Sequence, residues 1–339
     1  MSDTMRAITL ARRPNGLPTT DDFAMVTGPV PDPAPGQVVI ATSHLSLDPY
    51  MRGRMDDVKS YAPSVDIGGV MTGEGVGRVV ASRDASVPEG ALVIGQTGWA
   101  SHAVLPASDV RMLDDALPPS TALGVLGMPG FTAWTGLRKF GHPKAGETLA
   151  VSAATGPVGS LVGQLAKAAG LRTIAVAGGA DKLTLAQEAF GFDAAVDHRG
   201  YSDAGTMSEA LAKAAPDGVD IYWDNVAGQT LEAMLPVMTT GGRVIVCGTI
   251  AWAGGRPASS AMALPATWRT ILVKRLTVQG LIIFDHYDAF GEFLADMTPR
   301  VAAGDIRFVE DVTDGLDGMV AAFIGLLQGK NRGKAIVAV

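Results

Sequence analysis

Three small residues at a fixed spacing could bind the pyrophosphate of a dinucleotide. The segment SAATGPVGS, residues 152–160, places Ala154, Gly156 and Gly159 at the positions of the G-x-G-x-x-G pattern, with Ala at the first. Small residues at this spacing allow a tight turn and a close backbone approach, while the N–H groups of the following helix face the anion. A glycine-rich helix start without a ligand is the alternative. The flanking strand and helix patterns favour the dinucleotide.

The end of the next strand indicates which dinucleotide is bound. An NAD site usually carries an acidic residue about 20 residues past the loop, but IAVAGGADK, residues 174–182, has no acid at the strand tip. Gly178 stands at that tip, and Lys182 follows where it could hold a 2′-phosphate. His198 and Arg199 could add positive charge on the same side. We predict NADPH rather than NADH, the alternative being that Lys182 is a solvated residue of the first helical turn.

The sequence does not group its residues for catalytic zinc. Its five His residues form no H-x-x-x-H or H-x-E pair, and Cys247 is the single Cys. One Cys excludes a disulfide within the chain and a Cys-based zinc site, and its apolar surroundings predict a small buried side chain rather than a nucleophile. Without a Lewis acid, hydride addition to an activated C=C bond is favoured over alcohol–ketone interconversion, because hydrogen-bond donors alone can hold the enolate that forms.

The elements that must position these residues alternate from residue 148 onward. Short apolar, β-branched segments predict strands, and the longer segments between them predict helices. The predicted strands are TLAVSAA, LRTIAVAG, AAVDH, GVDIYWDNV and GRVIVCGTI, and the predicted helices are PVGSLVGQLAKAAG, DKLTLAQEAFG, TMSEALAKAA and QTLEAMLPVMTTG. This alternation is typical of a parallel sheet built from βαβ units. Residues 126–303 are therefore predicted to form a doubly wound α/β domain.

The two ends of the chain follow a different pattern. Residues 1–125 contain short apolar segments such as GQVVIATSHLSL and GVGRVVAS, interrupted by glycine and proline, and predict a compact, mostly β domain. From Gly304 the tail predicts a strand, a helix and a strand. Because these strands suit the β domain better than the parallel sheet, we expect residues 304–339 to complete the first domain.

Composition excludes several classes of protein. A length of 339 residues is that of about two domains. The formal net charge is −7 and no large basic cluster is present, so we do not expect a nucleic-acid partner. No uncharged apolar segment reaches the ~18 residues of a membrane span, and the charged N-terminal segment is unlike a signal peptide. We expect a cytoplasmic protein without a membrane partner.

Six sequence blocks resemble a known family. They are LDPYMR at 47–52, LGMPGFTAWTGL at 126–137, AATGPVGSLVGQLAK at 153–167, DNVAG at 224–228, VCGTI at 246–250 and NRGK at 331–334. They resemble the zinc-independent medium-chain reductases, and most closely the branch of leukotriene and prostaglandin reductases, alkenal double-bond reductases and curcumin-type reductases. LDPYMR with LGMPG is specific to that branch, whereas the glycine loop is shared by many more proteins. Together the blocks span essentially the whole chain.

The resemblance implies a GroES-like β domain, a Rossmann domain that binds NADPH, and a homodimer. The activity implied is NADPH-dependent reduction of the C=C bond of α,β-unsaturated aldehydes and ketones, with hydride passing to the β carbon and a proton then reaching the α carbon. The residues predicted to contact the cofactor are Met128, Thr132, Ala154, Gly156, Pro157, Val158, Gly159, Gly178, Lys182, His198, Asn225, Cys247, Phe284 and Asn331. Tyr50 is predicted to face the substrate.

The chain departs from the family where the substrate oxygen should be held. Many members carry a Tyr after the CGTI segment, whereas this chain has Trp252, whose indole N–H can donate a hydrogen bond but cannot act as an acid. The donor role then falls on Tyr50 or on a ribose hydroxyl of the cofactor. The alternative for Tyr50 is a packing role within a turn. His198 also replaces a Tyr that the family commonly uses at the 2′-phosphate.

Several alternatives remain open at the level of sequence. Arg52 and Arg54 are predicted to be salt-bridged surface or interface residues rather than catalytic ones. Aromatic residues could line a substrate site that favours a flat, conjugated enone, and these are Trp99, Trp134, Trp252, Phe284 and Tyr287, of which we predict Trp252 and Tyr287 to bind substrate. The alternative functions are a quinone reductase and a non-catalytic NADPH-binding or sensing protein.

Overall fold

The computed structural model describes residues 4–254 and 264–339 and divides into two compact units. The first unit draws on Met1–Gly124, Ala253–Gly255 and Glu310–Val339, and the second on Val125–Trp252 and Arg256–Val309. The second unit therefore runs to Val309 rather than to residue 303. Gln164 accounts for the difference, because its side chain accepts from the Arg307 backbone N–H at 2.8 Å and donates to the Arg307 carbonyl at 2.9 Å.

The first unit is built mainly from antiparallel strands. Its elements in residues 4–112 are β1 (Thr4–Leu10), β2 (Phe23–Pro29), β3 (Gln37–Ser46), α1 (Tyr50–Arg54), β4 (Gly75–Ser82), β5 (Leu92–Gly95), β6 (His102–Pro106) and β7 (Arg111–Met112). The β1 and β2 strands form a separate antiparallel pair. The β3 strand pairs with both β4 and β6, and β5 links β4 to β7. The predicted β-rich N-terminal domain is confirmed.

The second unit contains a six-stranded parallel sheet with helices between its strands. Its elements are α2 (Met128–Gly136), β8 (Thr148–Ser152), α3 (Pro157–Ala168), β9 (Arg172–Ala177), α4 (Ala180–Thr184), β10 (Ala194–Asp197), α5 (Ala204–Ala214), β11 (Val219–Asp224), α6 (Gly228–Met234), β12 (Met238–Val246), α7 (Leu264–Lys274), β13 (Thr277–Gly280) and α8 (Phe290–Ala302). The strand order is β10-β9-β8-β11-β12-β13. Counted from β8 this is the order 3-2-1-4-5-6 of a Rossmann fold, so the doubly wound prediction is confirmed.

The tail adds two strands and a helix to the first unit. They are β14 (Glu310–Asp314), α9 (Met319–Leu327) and β15 (Lys334–Ala338). The β15 strand pairs antiparallel with β3, with Ile336 opposite Ser46, and β14 pairs parallel with β15. The sheet order is β14-β15-β3-β4-β5-β7. This pairing places β15 beside the end of β3, a short distance before Tyr50 in the sequence.

Each unit has its own apolar core. In the first unit Trp99 is fully buried, stacks on Phe23 with ring centroids 5.6 Å apart, and meets the edge of Phe323 at 5.2 Å. In the second unit Trp134 is buried, and its indole N–H donates to Asp296 at 2.7 Å. These contacts assign Trp99 and Trp134 to cores. The sequence leaves both core packing and a substrate contact open for these two residues, and the structure shows core packing.

One predicted boundary is wrong. The helix expected over QTLEAMLPVMTTG ends at Met234, and a single tighter helical turn, Leu235–Val237, leads into β12. Pro236 lies in that turn and has no N–H to continue the helical hydrogen bonds. The strand begins at Met238, opposite Val219, and its register is irregular before Arg243 pairs with Ile221.

In residues 4–254 and 264–339, every helix is too short or too polar to span a bilayer.

Candidate functional site

The glycine loop joins β8 to α3 through a close backbone approach. Ala153, directly after β8, has a left-handed φ of 50°, and its carbonyl accepts from the Gly156 N–H at 3.0 Å. A Cβ at Gly159 would lie 2.5 Å from the Ala153 carbonyl oxygen and 2.9 Å from the Ala154 Cα. No side chain fits at such distances, so position 159 requires glycine. Dinucleotide-binding loops use a glycine for this contact between helix and strand.

The first turn of α3 is suited to an anion. Gly156 precedes the helix and Pro157 begins it, and no side chain in the described part of the chain caps its N–H groups. An α-helix leaves its first N–H groups without intrahelical acceptors, and here these include the N–H groups of Val158 and Gly159. Their partial positive charge, reinforced by the helix dipole, suits a phosphate group. The residues present therefore fit a bound pyrophosphate.

A buried carboxyl group ties together the ends of β8 and β11. Asp224, which is fully buried, accepts from Ser152 Oγ at 3.1 Å and from the Tyr222 hydroxyl at 2.9 Å. The same oxygen, Oδ1, accepts from the N–H groups of Val226 and Ala227 at 3.0 and 2.9 Å. Burial raises the pKa of Asp224 above its ordinary value, although these donors act in the opposite direction. No sequence signal singled out this network.

Two predicted cofactor contacts lie at these strand ends. The Asn225 side chain donates to the Ser152 carbonyl at 2.7 Å and accepts from the Trp223 indole N–H at 3.1 Å. Cys247 follows β12, and its N–H donates to the Asp224 carbonyl at 2.8 Å. Cys247 as a whole is half-buried, but burial of the thiol raises the pKa of Cys247 to about 12. The thiol is therefore uncharged at neutral pH, as expected for a packing residue.

Basic side chains gather at the tip of β9. A Cβ on Gly178 would lie 2.6 Å from Arg199 Nε and 2.7 Å from His198 Nε2, so both side chains pack directly against the glycine. Lys182, half-buried in α4, is near enough to influence the charge of His198. The structure thus brings Gly178, Lys182, His198 and Arg199 together. The sequence predicts His198 and Arg199 on the same side as Lys182, and their direct contact with Gly178 depends on the pairing of β9 with β10.

Asp197 organises the turn that carries these cations. Its Oδ1 accepts from the N–H groups of Gly179 and Arg199 at 3.0 and 2.9 Å. Burial alone would raise the pKa of Asp197, but these hydrogen bonds and the neighbouring cations lower it below its ordinary value. For His198, burial lowers the pKa, the charges of Arg199 and Lys182 add to the effect, and Asp197 opposes it. His198 is therefore neutral at neutral pH before a phosphate binds.

The α2 helix holds two residues predicted near the nicotinamide. Met128 begins the helix and is half-buried. Thr132 follows one turn later and is buried, and its hydroxyl donates to the Met128 carbonyl at 2.8 Å. The Thr132 hydroxyl proton is committed to the helix backbone, so its oxygen is left only as an acceptor.

Phe284 and Tyr287 form an exposed aromatic surface on the second unit. Their rings stack with centroids 6.0 Å apart, and Tyr287 stacks in turn on Phe290 at 5.5 Å. The exposed fractions are 45% for Phe284 and 40% for Tyr287. Trp252 is half-buried in the short helical turn Ile250–Trp252. Among the predicted aromatic residues, these three are the ones with side-chain surface available to a ligand.

Tyr50 begins α1 in the first unit and packs against the core of that unit. Burial raises the pKa of Tyr50 far above its ordinary value, the charges of Asp48 and Glu74 add to the effect, and Arg54 opposes it. The phenol therefore keeps its proton across the physiological pH range. Within residues 4–254 and 264–339 the hydroxyl has no hydrogen-bond partner, so its proton is available to an acceptor on a ligand.

A buried ion pair joins Asp48, which lies just before Tyr50 in the sequence, to Lys334 on β15. Lys334 on β15 donates to Asp48 Oδ1 at 2.7 Å, to Ser46 Oγ at 2.6 Å and to the Leu47 carbonyl at 2.9 Å. Asp48 also accepts from the Ser46 hydroxyl. The side chains of Lys334 and Asp48 are 4% and 8% exposed. The turn that leads into α1 is therefore anchored to the last strand of the chain.

Arg52 and Arg54, predicted to be salt-bridged surface or interface residues, are both buried, and Arg52 forms a salt bridge. Arg52 is buried, donates twice to the Gly16 carbonyl at 2.8 and 3.1 Å, and pairs with Asp56 at 2.7 Å. Arg54 is also buried. The Gly16 carbonyl that Arg52 binds lies 36 positions away, so the LDPYMRGRM segment alone gives no signal of this contact. Asn331, the remaining predicted cofactor contact, lies in the turn before β15 and donates to the Gly333 carbonyl at 2.7 Å.

Comparison with known proteins assigns the family. A family model described as the N-terminal domain of oxidoreductases matches residues 6–113, and one described as a zinc-binding dehydrogenase matches residues 157–298. An Escherichia coli protein named NADPH-dependent curcumin reductase is 46% identical over 97% of this chain and 95% of its own length. The chain belongs to the zinc-independent medium-chain reductases. The predicted resemblance to this branch is confirmed.

Two further relatives support the assignment of this chain to the medium-chain reductases. A Nicotiana tabacum protein named NADP-dependent 2-alkenal reductase is 39% identical over 89% of this chain and 87% of its own length. The crystal structure of CurA from Vibrio vulnificus in complex with NADPH has a TM-score of 0.92 and 44% identity, and covers 98% of this chain and 99% of that one. Residues 4–254 and 264–339 contain no group of three or more His, Cys, Asp or Glu residues that could hold a metal ion.

Proposed function

We propose that the protein reduces the C=C bond of α,β-unsaturated ketones and aldehydes with NADPH. The observation that carries the proposal is the 46% identity, over 97% of the chain, to a protein named NADPH-dependent curcumin reductase. The bound cofactor supplies hydride to the β carbon of the substrate. The electron pair of the C=C bond then moves toward the carbonyl oxygen, and a proton reaches the α carbon.

The second unit is proposed as the NADPH-binding domain. The sequence predicts this domain over residues 126–303. The N–H groups of Val158 and Gly159 would bind the pyrophosphate, and Lys182 and Arg199 would bind the 2′-phosphate. Phosphate oxygens are strong acceptors, and charge-assisted hydrogen bonds to them are about twice as strong as neutral ones. The other proposed contacts, which rest on the family resemblance, are Met128, Thr132, Ala154, Gly156, Pro157, Gly178, His198, Asn225, Cys247, Phe284 and Asn331.

Tyr50 is proposed as a donor to the substrate oxygen. As charge develops on that oxygen, a positioned O–H donor stabilises it. Tyr50 has the proton to donate, because its pKa is raised far above the ordinary value by burial and by Asp48 and Glu74. Trp252 and Tyr287 are proposed to contact the rest of the substrate. The stacked pair of Phe284 and Tyr287 favours a flat, conjugated enone over a short alkenal, because aromatic side chains pack against flat π systems in offset-stacked or edge-to-face arrangements.

A homodimer is proposed from the family resemblance and from the surface of the second unit. Leu264, Trp268 and Leu272 repeat every four residues along α7, so they share one face, and they are 57%, 62% and 76% exposed. The β13 strand ends the parallel sheet in the described residues, and all its residues are exposed. Exposed strand edges and apolar faces of this kind suit pairing with a second copy.

The oligomer is tested by size-exclusion chromatography with light scattering. Leu272→Glu should shift the protein toward the monomer, because it introduces a charge on the exposed face of α7. Ile67→Glu is the matched control, since Ile67 is 62% exposed on the first unit and its replacement should leave the mass unchanged. A wild-type protein that is monomeric at all concentrations would contradict the proposal.

The activity is tested by following NADPH oxidation with a panel of enones. Cinnamaldehyde-like and long-chain 2-alkenals form its two ends, and a simple quinone is included. Reduction of the C=C bond, identified by mass spectrometry of the product, supports the proposal. Faster turnover of the quinone than of every enone would favour a quinone reductase. Tight NADPH binding without oxidation by any electron-poor alkene would favour a sensing protein.

The role of Tyr50 is tested by Tyr50→Phe, which removes only the hydroxyl. Loss of a single positioned donor should lower kcat on an enone by up to about 10²-fold. NADPH binding, measured by fluorescence, should be retained. An unchanged kcat would exclude Tyr50 from the reaction and leave it with a packing role.

A further inference from the structure

Arg54 is a buried cation without a polar partner. Its exposed fraction is 6%, close to the 5% of Arg52 on the same helix. Arg52 uses its donors on the Gly16 carbonyl and on Asp56. In the described residues, 4–254 and 264–339, the Arg54 side chain has neither a hydrogen bond nor an ion pair. None of its nitrogen atoms is among the fully buried polar atoms that lack a partner in the described residues, so its unpaired N–H groups reach the surface.

Two tyrosine rings flank the Arg54 guanidinium. Its central carbon lies 4.7 Å from the ring centroid of Tyr61 and 5.5 Å from that of Tyr50. Such contacts stabilise a cation by about 0.5–2 kcal/mol. They are contacts with aromatic rings and use no hydrogen-bond acceptor, so the five N–H donors of the guanidinium remain without one. The rings therefore hold the cation in place while its hydrogen-bonding capacity remains unused.

The Tyr50 hydroxyl is a second unused donor on the same helix. Tyr50 and Arg54 are the first and last residues of α1 and stand four positions apart, a spacing that places two side chains on the same face of a helix. Neither the hydroxyl nor the guanidinium has an acceptor in the described part of the chain. Two adjacent donors that lack acceptors in the protein are suited to one oxygen-bearing group of a ligand.

We propose that Arg54 acts with Tyr50 as a second catalytic donor, stabilising the negative charge that forms on the substrate carbonyl oxygen. This inference rests on the proposed function. Hydride brings its electron pair to the β carbon, the π electrons of the C=C bond form the enolate, and NADPH becomes NADP⁺. A proton then adds to the α carbon and the carbonyl is restored. Arg54 transfers no proton, because its guanidinium stays charged throughout.

The surrounding charges explain why a cation is needed there. Asp48 and Glu74 both act on Tyr50 as negative charges, and Arg54 is the cation that opposes them. Lys334 cannot take that role at the substrate, since its three donors already bind Ser46, Leu47 and Asp48. Because Lys334 is paired with Asp48, Arg54 is the cation whose charge remains available to an enolate formed beside Tyr50. Arg54 therefore offsets the repulsion and adds an N–H donor.

The test compares Arg54→Met with the wild-type protein on an enone that the latter reduces. We expect kcat to fall by about 10²-fold, the loss typical of a donor to a developing oxyanion, with a smaller change in KM. Arg54→Lys keeps the charge but loses the planar fork of donors, so its kcat should lie between the two. Arg6→Met is the control for net charge, because Arg6 is a partly exposed residue of the same unit that pairs with Asp317.

Two further measurements separate catalysis from packing. Free guanidinium ion added to Arg54→Ala should restore part of its kcat, whereas a packing defect would not respond. In the Tyr50→Phe background, Arg54→Met should lower kcat less than in the wild type, because effects of groups that act on one oxygen are not additive. NADPH binding and thermal unfolding check that each variant folds.

The outcomes distinguish this inference from the proposed function. The role of Arg54 alone is overturned if the wild type reduces an enone and Arg54→Met has an unchanged kcat. It is also overturned if guanidinium does not restore the kcat of Arg54→Ala and the loss of kcat in Arg54→Met adds fully to that in Tyr50→Phe. If the wild type reduces no enone, both proposals are overturned. If Arg54→Met does not fold, Arg54→Lys is used to test the role of Arg54. An unchanged kcat in Arg54→Lys, together with no rescue of Arg54→Ala by guanidinium, then counts against the proposal.

Discussion

The ammonium group of Lys334 lies 2.7 Å from the carboxylate of Asp48, although the two residues are 286 positions apart in the chain. Both side chains are buried. The contact exists because β15 pairs with β3 in the first unit. It fixes the turn from which α1 begins, and so the stability of this turn and the position of Tyr50 depend on the last strand of the chain.

Removal of Lys334 should strongly destabilise the first unit. Lys334→Met leaves Asp48 as an unpaired buried charge, and breaking one partner of a buried pair typically costs about 3–5 kcal/mol. The free energy of unfolding, measured with urea, should fall by that amount. Lys330→Met is the matched control, because Lys330 is an exposed lysine near the same strand, and it should change the stability little. A double variant, Lys334→Met with Asp48→Leu, should recover part of the loss, and the absence of recovery would contradict a charge-pair explanation.

Glu74 should make stability depend on pH. Burial, reinforced by the charge of Asp48, raises the pKa of Glu74 to about 7, while Lys334 and Arg111 act in the opposite direction. A carboxyl group with a higher pKa in the folded than in the unfolded protein contributes stability that is full below its unfolded pKa and is lost as pH rises through the folded pKa. The free energy of unfolding should therefore fall between pH ~4.3 and pH ~7, by on the order of 3 kcal/mol.

Glu74→Gln should remove this part of the pH dependence, because the amide does not titrate. Urea unfolding at several pH values between these limits measures the effect. Glu89→Gln, at an exposed position, is the control and should leave the wild-type pH dependence intact. Equal slopes in the wild type and Glu74→Gln would show that Glu74 does not carry a shifted pKa.

The sequence was informative where structure is local and uninformative where distant segments meet. The strands and the glycine loop follow from periodicity and from the close approach at Gly159, and these depend on residues next to one another. The burial of Arg52 does not follow from its own segment, because its partner, the Gly16 carbonyl, is 36 positions away. Lys334 carried no signal because β15 had to be paired with β3 first. For Trp99 the sequence leaves core packing and a substrate contact open, and its stacking on Phe23 shows the core role.

The cations at the tip of β9 should determine the preference for NADPH. Arg199→Ala and Lys182→Ala should each raise the KM for NADPH about 10-fold or more, because a hydrogen bond to a charged group is worth about 1.5–3 kcal/mol. The KM for NADH, which has no 2′-phosphate, should change little. Lys213→Ala, at an exposed position on α5, is the control for net charge. An equal rise in KM for both cofactors would place Arg199 and Lys182 outside the 2′-phosphate site.

Gly159→Ala should damage both stability and cofactor binding. The added Cβ would lie 2.5 Å from the Ala153 carbonyl oxygen, so the start of α3 must move away from β8, and such overpacking typically costs about 1–3 kcal/mol. The same movement displaces the N–H groups proposed to hold the pyrophosphate, so the Kd for NADPH should rise as well. Urea unfolding and fluorescence titration measure the two effects.

The matched control for that variant is Gly291→Ala. Gly291 is helical, lies in the same unit, and has no atom within 4 Å of an added Cβ. Alanine there should leave NADPH binding unchanged and stabilise the protein by about 0.4–1 kcal/mol, because it restricts the unfolded chain without a clash. If Gly159→Ala and Gly291→Ala bound NADPH equally well, the backbone approach at Gly159 would not be part of the cofactor site, and the pyrophosphate would have to be held elsewhere in the second unit.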